Sequence, residues 1–470
     1  MGTISSALSM MAQTLDADQA ALNIVANNVS NANTPGYTEE SPTWRQNQPI
    51  NVNGVIIGTG AAQTGPKSQR DHVLEQRLNQ QQQLASASGS RLAALNSVEA
   101  LFTPASGSTS SLAGDIGSDI TGFFNSFSSL EANPTNTSLR EQVLSSASTL
   151  AGDVSNAAAS LNAQRASLDQ KTAAVVSQVN ALFANLAQLN VEIQSASPSG
   201  DAGTLEDQRQ QVLSQLSQLI GINQVSTEKN GLSITTTTGQ LLVANGSALQ
   251  MTSGLVNGVT HLFIGTGDVT DQLKSGGGSL GGDLTARDQD IPNVLASLDQ
   301  LAYSVSTQVN ALNNSGTNLT GANGNAGDIF LQPTQVAGSA ASMRVVMTDP
   351  MGISAAALGQ GTGDNSNAVA MASLANQTIV NGQSPSNFYS IFLTTLGSAV
   401  SGVHAQNTAQ NASVTQLQSQ IDSISSVNLN DEASALMLME RSYQAASQVF
   451  AILNRIVATA MNLGQQTTVS

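Results

Sequence analysis

Residues 429–460 read LNDEASALMLMERSYQAASQVFAILNRIVATA. Along this stretch Leu429, Glu432, Leu436, Met439, Tyr443, Ala446, Phe450, Leu453, Val457 and Ala460 recur in steps of three and four. A 3.5-residue repeat draws one narrow seam along a helix, and such a seam needs a partner helix to bury it. The other end of the chain carries a matching stripe, Ile4, Leu8, Met11, Leu15, Asp18, Leu22, Val25 and Val29. Chain ends are ordered only where they dock, so the two seams predict ends that pair with each other or with other copies. The candidate assembly interface is therefore Leu8, Met11, Leu15, Leu22, Val25 and Val29 with Leu436, Met439, Tyr443, Ala446, Phe450, Leu453 and Val457. Asp18 and Glu432 interrupt the seams. A polar residue at a core-type position sets register or oligomeric state, or else faces a channel or a local solvent gap. Read as half of a wall between subunits, the seams predict ends that are disordered in a free monomer and fold on assembly.

Between the ends the pattern is nested. One helix is expected over residues 3–31, ending at Asn31, Asn33, Thr34, Pro35 and Gly36, with Pro35-Gly36 suited to the centre of a type II turn. An extended segment or hairpin follows from Tyr37 to about Pro66, with Val52, Val55 and Ile57 alternating. Helical periodicity resumes from Asp71 to Leu101, and a Ser/Gly-rich stretch from Pro104 to Ser118 interrupts it. No proline occurs between Pro134 and Pro198, and Leu168, Thr172, Val175, Val179, Leu182, Leu186, Leu189 and Ile193 keep the heptad alternation, predicting one very long helix or two nearly continuous ones. Leu205, Gln208, Val212, Leu216 and Leu219 mark a shorter helix. From Gly221 the grammar changes to β alternation punctuated by Asn230-Gly231, Asn245-Gly246 and Asn257-Gly258, the strongest short hairpin signal. A helix with Val294, Leu298, Leu301, Val305 and Leu312 follows, then Gly/Asn-rich loops over 313–387, and a helix from Phe388 to Ile424 before the terminal stripe. The expected fold is mainly α with a small antiparallel β insert: an end domain of residues 1–60 and 425–470, a long-helix body of 61–221 and 285–424, and the insert at 222–284.

Composition narrows the class. Aromatics make up 3% of the chain and charged residues 10%, which suits long small-residue helices better than a compact enzyme core. There is no cysteine, so disulfides and thiolate metal sites are excluded. A net charge of −16 argues against a nucleic-acid partner, because neutralising phosphate needs clustered Lys and Arg. No basic residue precedes Arg45, so the positive segment of a secretory signal peptide is missing, and no apolar run approaches membrane-spanning length. Met1 to Ser6 fits a myristoylation pattern, but the same residues begin the heptad helix, which is the reading taken.

No catalytic constellation emerges. His72, His261 and His404 lie in different segments, none with a second His or a carboxylate at metal-ligand spacing, and read as isolated side chains. Gly276, Gly278 and Gly281 satisfy a GxGxxG string without the strand and helix that phosphate binding requires, and read as a flexible return linker. Asp364 to Asn367 and the Asn/Gly run from Asn313 to Asp328 lack the ligand alternation of a calcium loop. No catalytic residue, cofactor or metal is expected.

Residues 26–37, ANNVSNANTPGY, resemble the N-terminal signature of bacterial flagellar rod, hook and hook-associated axial proteins. The ending Thr34-Pro35-Gly36-Tyr37 is most similar to the hook-associated protein 1 family, so Asn28, Asn33, Thr34, Pro35, Gly36 and Tyr37 form the family turn signature. Further along, Asn133-Pro134 with Leu139-Arg140, Val179-Asn180 with Leu189-Asn190, Leu205 to Arg209, Gly281-Gly282, Asp349-Pro350 and Gly363 to Ala368 resemble the family's landmarks in order. Ser426 to Leu429, with Glu432, Ala433, Tyr443 and Gln444-Ala445-Ala446, resembles its C-terminal block. Thr38-Glu39-Glu40 departs, standing where the family commonly has a serine and a basic residue.

The resemblance implies a structural component of the flagellum at the hook–filament junction, without catalysis. It implies a tubular homo-oligomer with terminal helices lining the channel, the helical body forming the outer tube and the β insert facing outward. It also implies export through the flagellar type III apparatus to the extracellular flagellum. The implied partners are the hook protein, a second hook–filament junction protein and an export chaperone on the C-terminal helix, with no nucleic acid and no membrane insertion. The Asn27, Asn28, Asn31 and Asn33 cluster reads equally as a polar helix end or as a donor of amide hydrogen bonds to neighbouring subunits. Other readings are another axial protein of hook or distal rod, a secreted coiled-coil adhesin or type III translocator, and an enzyme hosted by the β insert.

Overall fold

The computed structural model describes residues 2–52, 54–102, 115–197, 201–227 and 230–466. The first helix, α1 (Gly2–Asn31), stops at the expected turn: the Tyr37 amide donates to the Thr34 carbonyl at 3.2 Å, and Gly36 takes φ +78°, the left-handed position of a type II turn. Strands β1 (Glu40–Gln46) and β4 (Ala61–Ser68) pair antiparallel, and between them β2 (Ile50–Val52) and β3 (Val55–Ile57) form a shorter ribbon. Four helices follow: α2 (His72–Phe102), α3 (Ile116–Ala132), the 60-residue α4 (Thr137–Ala196) and α5 (Thr204–Leu219).

The β segment contains more than one sheet. Strands β5 (Asn223–Ser226), β6 (Leu232–Thr235), β7 (Leu241–Ala244) and β8 (Ser247–Ala248) make a four-stranded sheet, while β9 (Met251–Val256), β10 (Val259–Ile264) and β11 (Gly267–Asp268) make a three-stranded one. The Asn-Gly pairs do what their chemistry predicts. Asn245 and Asn257 take φ +48° and +52°, the conformation a tight two-residue hairpin demands.

After the second sheet come α6 (Thr270–Gly276), α7 (Gly278–Thr285), one π-helical turn at Ala286–Asp290 and α8 (Ile291–Ser315). The Gly/Asn-rich region holds the short β12 (Thr317–Asn318), α9 (Ser339–Ser342), a 3-10 turn at Pro350–Gly352, β13 (Ser354–Ala356) and α10 (Ser366–Ser373). The chain ends with α11 (Pro385–Ser425) and α12 (Leu429–Gln466).

These elements gather into two compact units. The first comprises Met1–Gln82, Val179–Gln250 and Asn411–Ser470; the second comprises Gln83–Gln178 and Met251–Gln410. Helices α2, α4 and α11 contribute to both, and the two β sheets fall one in each unit.

The second unit is built around α3, which periodicity reading passed over because it begins inside the Ser/Gly-rich stretch. Residues 103–114 of that stretch lie outside the described residues. Ile116, Ile120, Phe123, Phe127 and Leu130, at helical spacing, are all fully buried. Phe123 stacks edge-on against Phe127 and Phe330, each at 5.4 Å between ring centres. Arg140, also fully buried, has no carboxylate partner among the described residues; it donates to the Pro134 carbonyl at 3.0 Å and to the Ile353 carbonyl, and burial lowers its pKa to about 10.

The glycine string is helical, contrary to a flexible linker. Gly277, at φ +103°, separates α6 from α7, and Gly282 lies against α2, where an added Cβ would fall 2.1 Å from the Ala87 carbonyl oxygen. Absence of a side chain there is what lets the two helices cross so closely.

Gly282→Ala is therefore expected to lower stability by about 1–3 kcal/mol through overpacking. Gly122→Ala, on an open helix face with nothing near its would-be Cβ, is expected to be neutral or stabilising. Urea unfolding of both variants checks the contrast.

Candidate assembly interface

In the first unit α1 runs beside α12 and beside the β1–β4 ribbon, so its burial is decided by two neighbours rather than one. The most buried arc of α1 is Ala17, Asp18, Ala21, Ile24, Val25 and Asn28. This arc is rotated from the expected stripe. Val25 is buried, Leu8, Met11, Leu15 and Leu22 are half-buried, and Val29 is exposed. The alanines explain the rotation, since small side chains admit the closest backbone approach.

On α12, Ala446 and Glu432 are buried and Met439, Phe450, Leu453 and Val457 half-buried, while Leu436 and Tyr443 are exposed. Pairing of the chain's own ends thus uses much of the seam, and a second copy is not needed for it. A second apolar row stands outside that contact: Leu438, Val449, Ile452 and Ile456 are 65%, 43%, 59% and 45% exposed. Its signal in the sequence is the 449, 452, 456 spacing, which runs next to the Ala446, Phe450, Leu453 and Val457 stripe.

Asn28 ties the ends together. Its fully buried amide nitrogen donates to the Glu40 carbonyl and to a Glu432 carboxylate oxygen, both at 2.8 Å. Its amide oxygen accepts from the Tyr37 hydroxyl at 2.8 Å and from the Glu40 amide at 3.0 Å. Glu432 therefore interrupts the seam to make a contact within the chain. Asp18 is buried too, with one carboxylate oxygen lacking a hydrogen-bond donor. The rest of the signature is more open: Asn33, Thr34, Pro35 and Gly36 are exposed, and the Pro35 carbonyl accepts from the Gln211 amide at 3.0 Å.

Thr38, Glu39 and Glu40 then thread between helices of the same unit. Thr38 donates through its amide and hydroxyl to Asp207 at 3.2 and 2.7 Å, and Asp207 is paired in turn with the buried Arg70. The Glu39 amide donates to the Ser425 carbonyl, its carbonyl accepts from the Gln69 amide, and the Ser425 hydroxyl closes the loop onto the Gln69 carbonyl.

Acidic side chains crowd this path. Burial pushes the Glu39 carboxyl up, helped by Glu432, against an opposing hydrogen bond from the Asn428 backbone. Burial likewise raises Glu40, with Asp201 and Asp207 adding to it and Arg70 opposing, and raises Glu432, which the Asn28 hydrogen bond opposes. Burial and the same carboxylates keep the Tyr37 phenol protonated.

His72 and His261 are not isolated. Each has a carboxylate partner, Glu75 at 3.3 Å and Asp268 at 2.7 Å respectively. Among the described residues no group of three His, Asp or Glu side chains is placed to hold a metal ion, and no helix is long and apolar enough to cross a membrane. Two paired end helices with a further apolar row outside define a structural protein made to assemble.

Comparison with known proteins agrees. A profile described as the flagellar hook-associated protein FlgK helical domain matches residues 95–330, half of the chain, and one described as the flagella basal body rod protein matches residues 10–38. The chain belongs to the flagellar hook-associated protein FlgK family, and is a structural component of the flagellum rather than an enzyme. It is 25% identical to flagellar hook-associated protein 1 of Escherichia coli (strain K12), over 96% of this chain and 98% of that protein. It is also 25% identical to flagellar hook-associated protein 1 of Bacillus subtilis (strain 168), over 95% and 96%. The solved structure of the flagellar hook junction protein FlgK from Burkholderia pseudomallei shares the fold, with a TM-score of 0.65 at 17% identity, covering 73% of this chain and 99% of that one.

Two outcomes follow from this geometry. Asn28→Ala leaves Glu432 and the Glu40 backbone without partners and is expected to cost about 2–4 kcal/mol in urea unfolding. Carboxyls whose folded pKa is raised stabilise fully below their ordinary value of 4.5 and lose that contribution as pH rises through the folded values. Glu39→Gln should therefore flatten the loss of melting temperature as pH rises above 4.5, the ordinary value from which the Glu39 carboxyl is raised; an unchanged pH profile would contradict the assignment.

Proposed function

We propose that this chain assembles with copies of itself into a short tubular segment joining flagellar hook to filament. The observation that carries the reading is the apolar breadth of α12. One face packs on α1 while Val449, Ile452 and Ile456 stay exposed beside it, as a helix pair needs if it is to line a tube by packing against its neighbours. The hook-associated protein 1 names of the relatives support the location.

In this reading residues 1–60 and 425–470 act as the end domain lining the channel, 61–221 and 285–424 as the helical body, and 222–284 as the outward-facing β portion. The assembly residues are those of the two stripes, Leu8, Met11, Leu15, Leu22, Val25, Val29, Leu436, Met439, Tyr443, Ala446, Phe450, Leu453 and Val457, joined by the outer row. The signature Asn28, Asn33, Thr34, Pro35, Gly36 and Tyr37 holds the end domain to the body. Partners are the hook protein on one side and a second junction protein on the other. Export proceeds unfolded through the flagellar type III apparatus, with a chaperone holding the C-terminal helix beforehand.

Leu436→Asp and Ile456→Asp place a charge on exposed positions, so each should leave the monomer folded by circular dichroism. Expressed in a strain lacking the native chain, each should give hooks without filaments in electron micrographs. Normal filaments from both variants would reject the reading.

A further inference from the structure

Like the outer row of α12, the β2–β3 ribbon of the first unit carries large apolar side chains that it does not bury. The longer β1–β4 ribbon lies along α1, with the Asn47 amide donating to Gln13 at 3.0 Å and Gly60 set so closely that a Cβ there would fall 2.9 Å from Met10. Beyond those contacts the chain continues into β2 and β3, where Ile50, Ile56 and Ile57 are 40%, 72% and 36% exposed. Ile50 and Ile57 are cross-strand partners and share one face, while Ile56 lies on the other. An isolated two-stranded ribbon of this length is marginal in water and gains stability by lying on another surface.

Charge decides what that surface is. Each copy of the chain carries a net charge of −16, so contact between two copies is opposed least where the surfaces that meet carry no like charges. No charged residue occurs between Arg45 and Lys67. On α12 one helical row, Ser442, Ala445, Val449, Ile452, Ile456 and Ala460, is also uncharged and exposed. In the single chain the ribbon and the row are exposed at the same time, so neither covers the other.

We propose that the β2–β3 ribbon is an arm that seats Ile56 and its neighbours on the Val449, Ile452 and Ile456 row of a second copy. This rests on the self-assembly reading above and names the contact that carries it. Because the two patches differ, the contact is heterologous and repeats from copy to copy into a ring or helix instead of closing as a dimer.

The chain has no cysteine, so single cysteines report unambiguously. Ile56→Cys and Ile452→Cys chains are co-expressed in a strain lacking the native chain, and isolated flagella are treated with a short bis-maleimide. A covalent dimer is expected from this pair and not from Ile56→Cys with Leu255→Cys, a control position in the second unit that is 75% exposed. Filaments that form normally without the Ile56–Ile452 dimer would overturn the arm while leaving the junction function intact. Failure of the unsubstituted chain to restore filaments would overturn both. Independently, Ile56→Ser and Ile452→Ser should each reduce filaments per cell at least about threefold, the scale of losing one buried aliphatic contact; normal filament numbers from both would overturn the arm as well.

Discussion

A buried side-chain amide must find partners for both its N–H groups and its oxygen, and Asn28 finds all of them within the chain. Through it the end of α1, the signature turn, the first residue of β1 and the first turn of α12 are fixed in one geometry. The constraint is asymmetric. Removing the amide would strand the Glu432 carboxylate and the Glu40 backbone, and stranded buried groups cost more than a hydrogen bond gains. This contact joins α1 to the start of α12, and the two helices pack on each other.

How much of this was legible from sequence depended on whether a residue's neighbours were local. The Pro35-Gly36 turn and the Asn-Gly turns at Asn245 and Asn257 follow from one residue's backbone preference and stand where it put them, whereas the α12 stripe is met only in part, with Leu436 and Tyr443 exposed. The buried arc of α1 did not follow. A helix clasped between another helix and a β ribbon buries the arc facing both, and there Ala17 and Ala21 matter more than Leu22 or Val29 because they let the neighbours approach. Helix α3 was hidden by the Ser/Gly-rich residues before it, although Ile116, Ile120, Phe123 and Phe127 carried the signal. Gly282 looked like a linker residue because a glycine demanded by a crossing helix is identical in sequence to one demanded by flexibility.

The site itself was half legible. The turn signature pointed to Asn28, but its bond to Glu432 spans 404 residues and no local pattern announces it. Glu432 read as a residue that sets register or oligomeric state or faces a channel or solvent gap, and it hydrogen-bonds Asn28 within the chain. The Glu39-Glu40 departure acquires a physical consequence: burial and the neighbouring Glu432, Asp201 and Asp207 push both carboxyls above the ordinary range. The ends of this chain are paired with each other and still leave the Val449, Ile452 and Ile456 row of α12 exposed.

The pairing of α1 with α12 through Asn28 lies within one chain and is therefore expected in the free monomer. Hydrogen–deuterium exchange on the monodisperse monomer tests it most directly. Backbone amides over residues 17–28 and 432–457 should exchange slowly together, and Asn28→Ala should release both stretches at once. Exchange of both segments at unprotected rates in the native monomer would contradict the claim, and would return the seams to a wall built only between subunits.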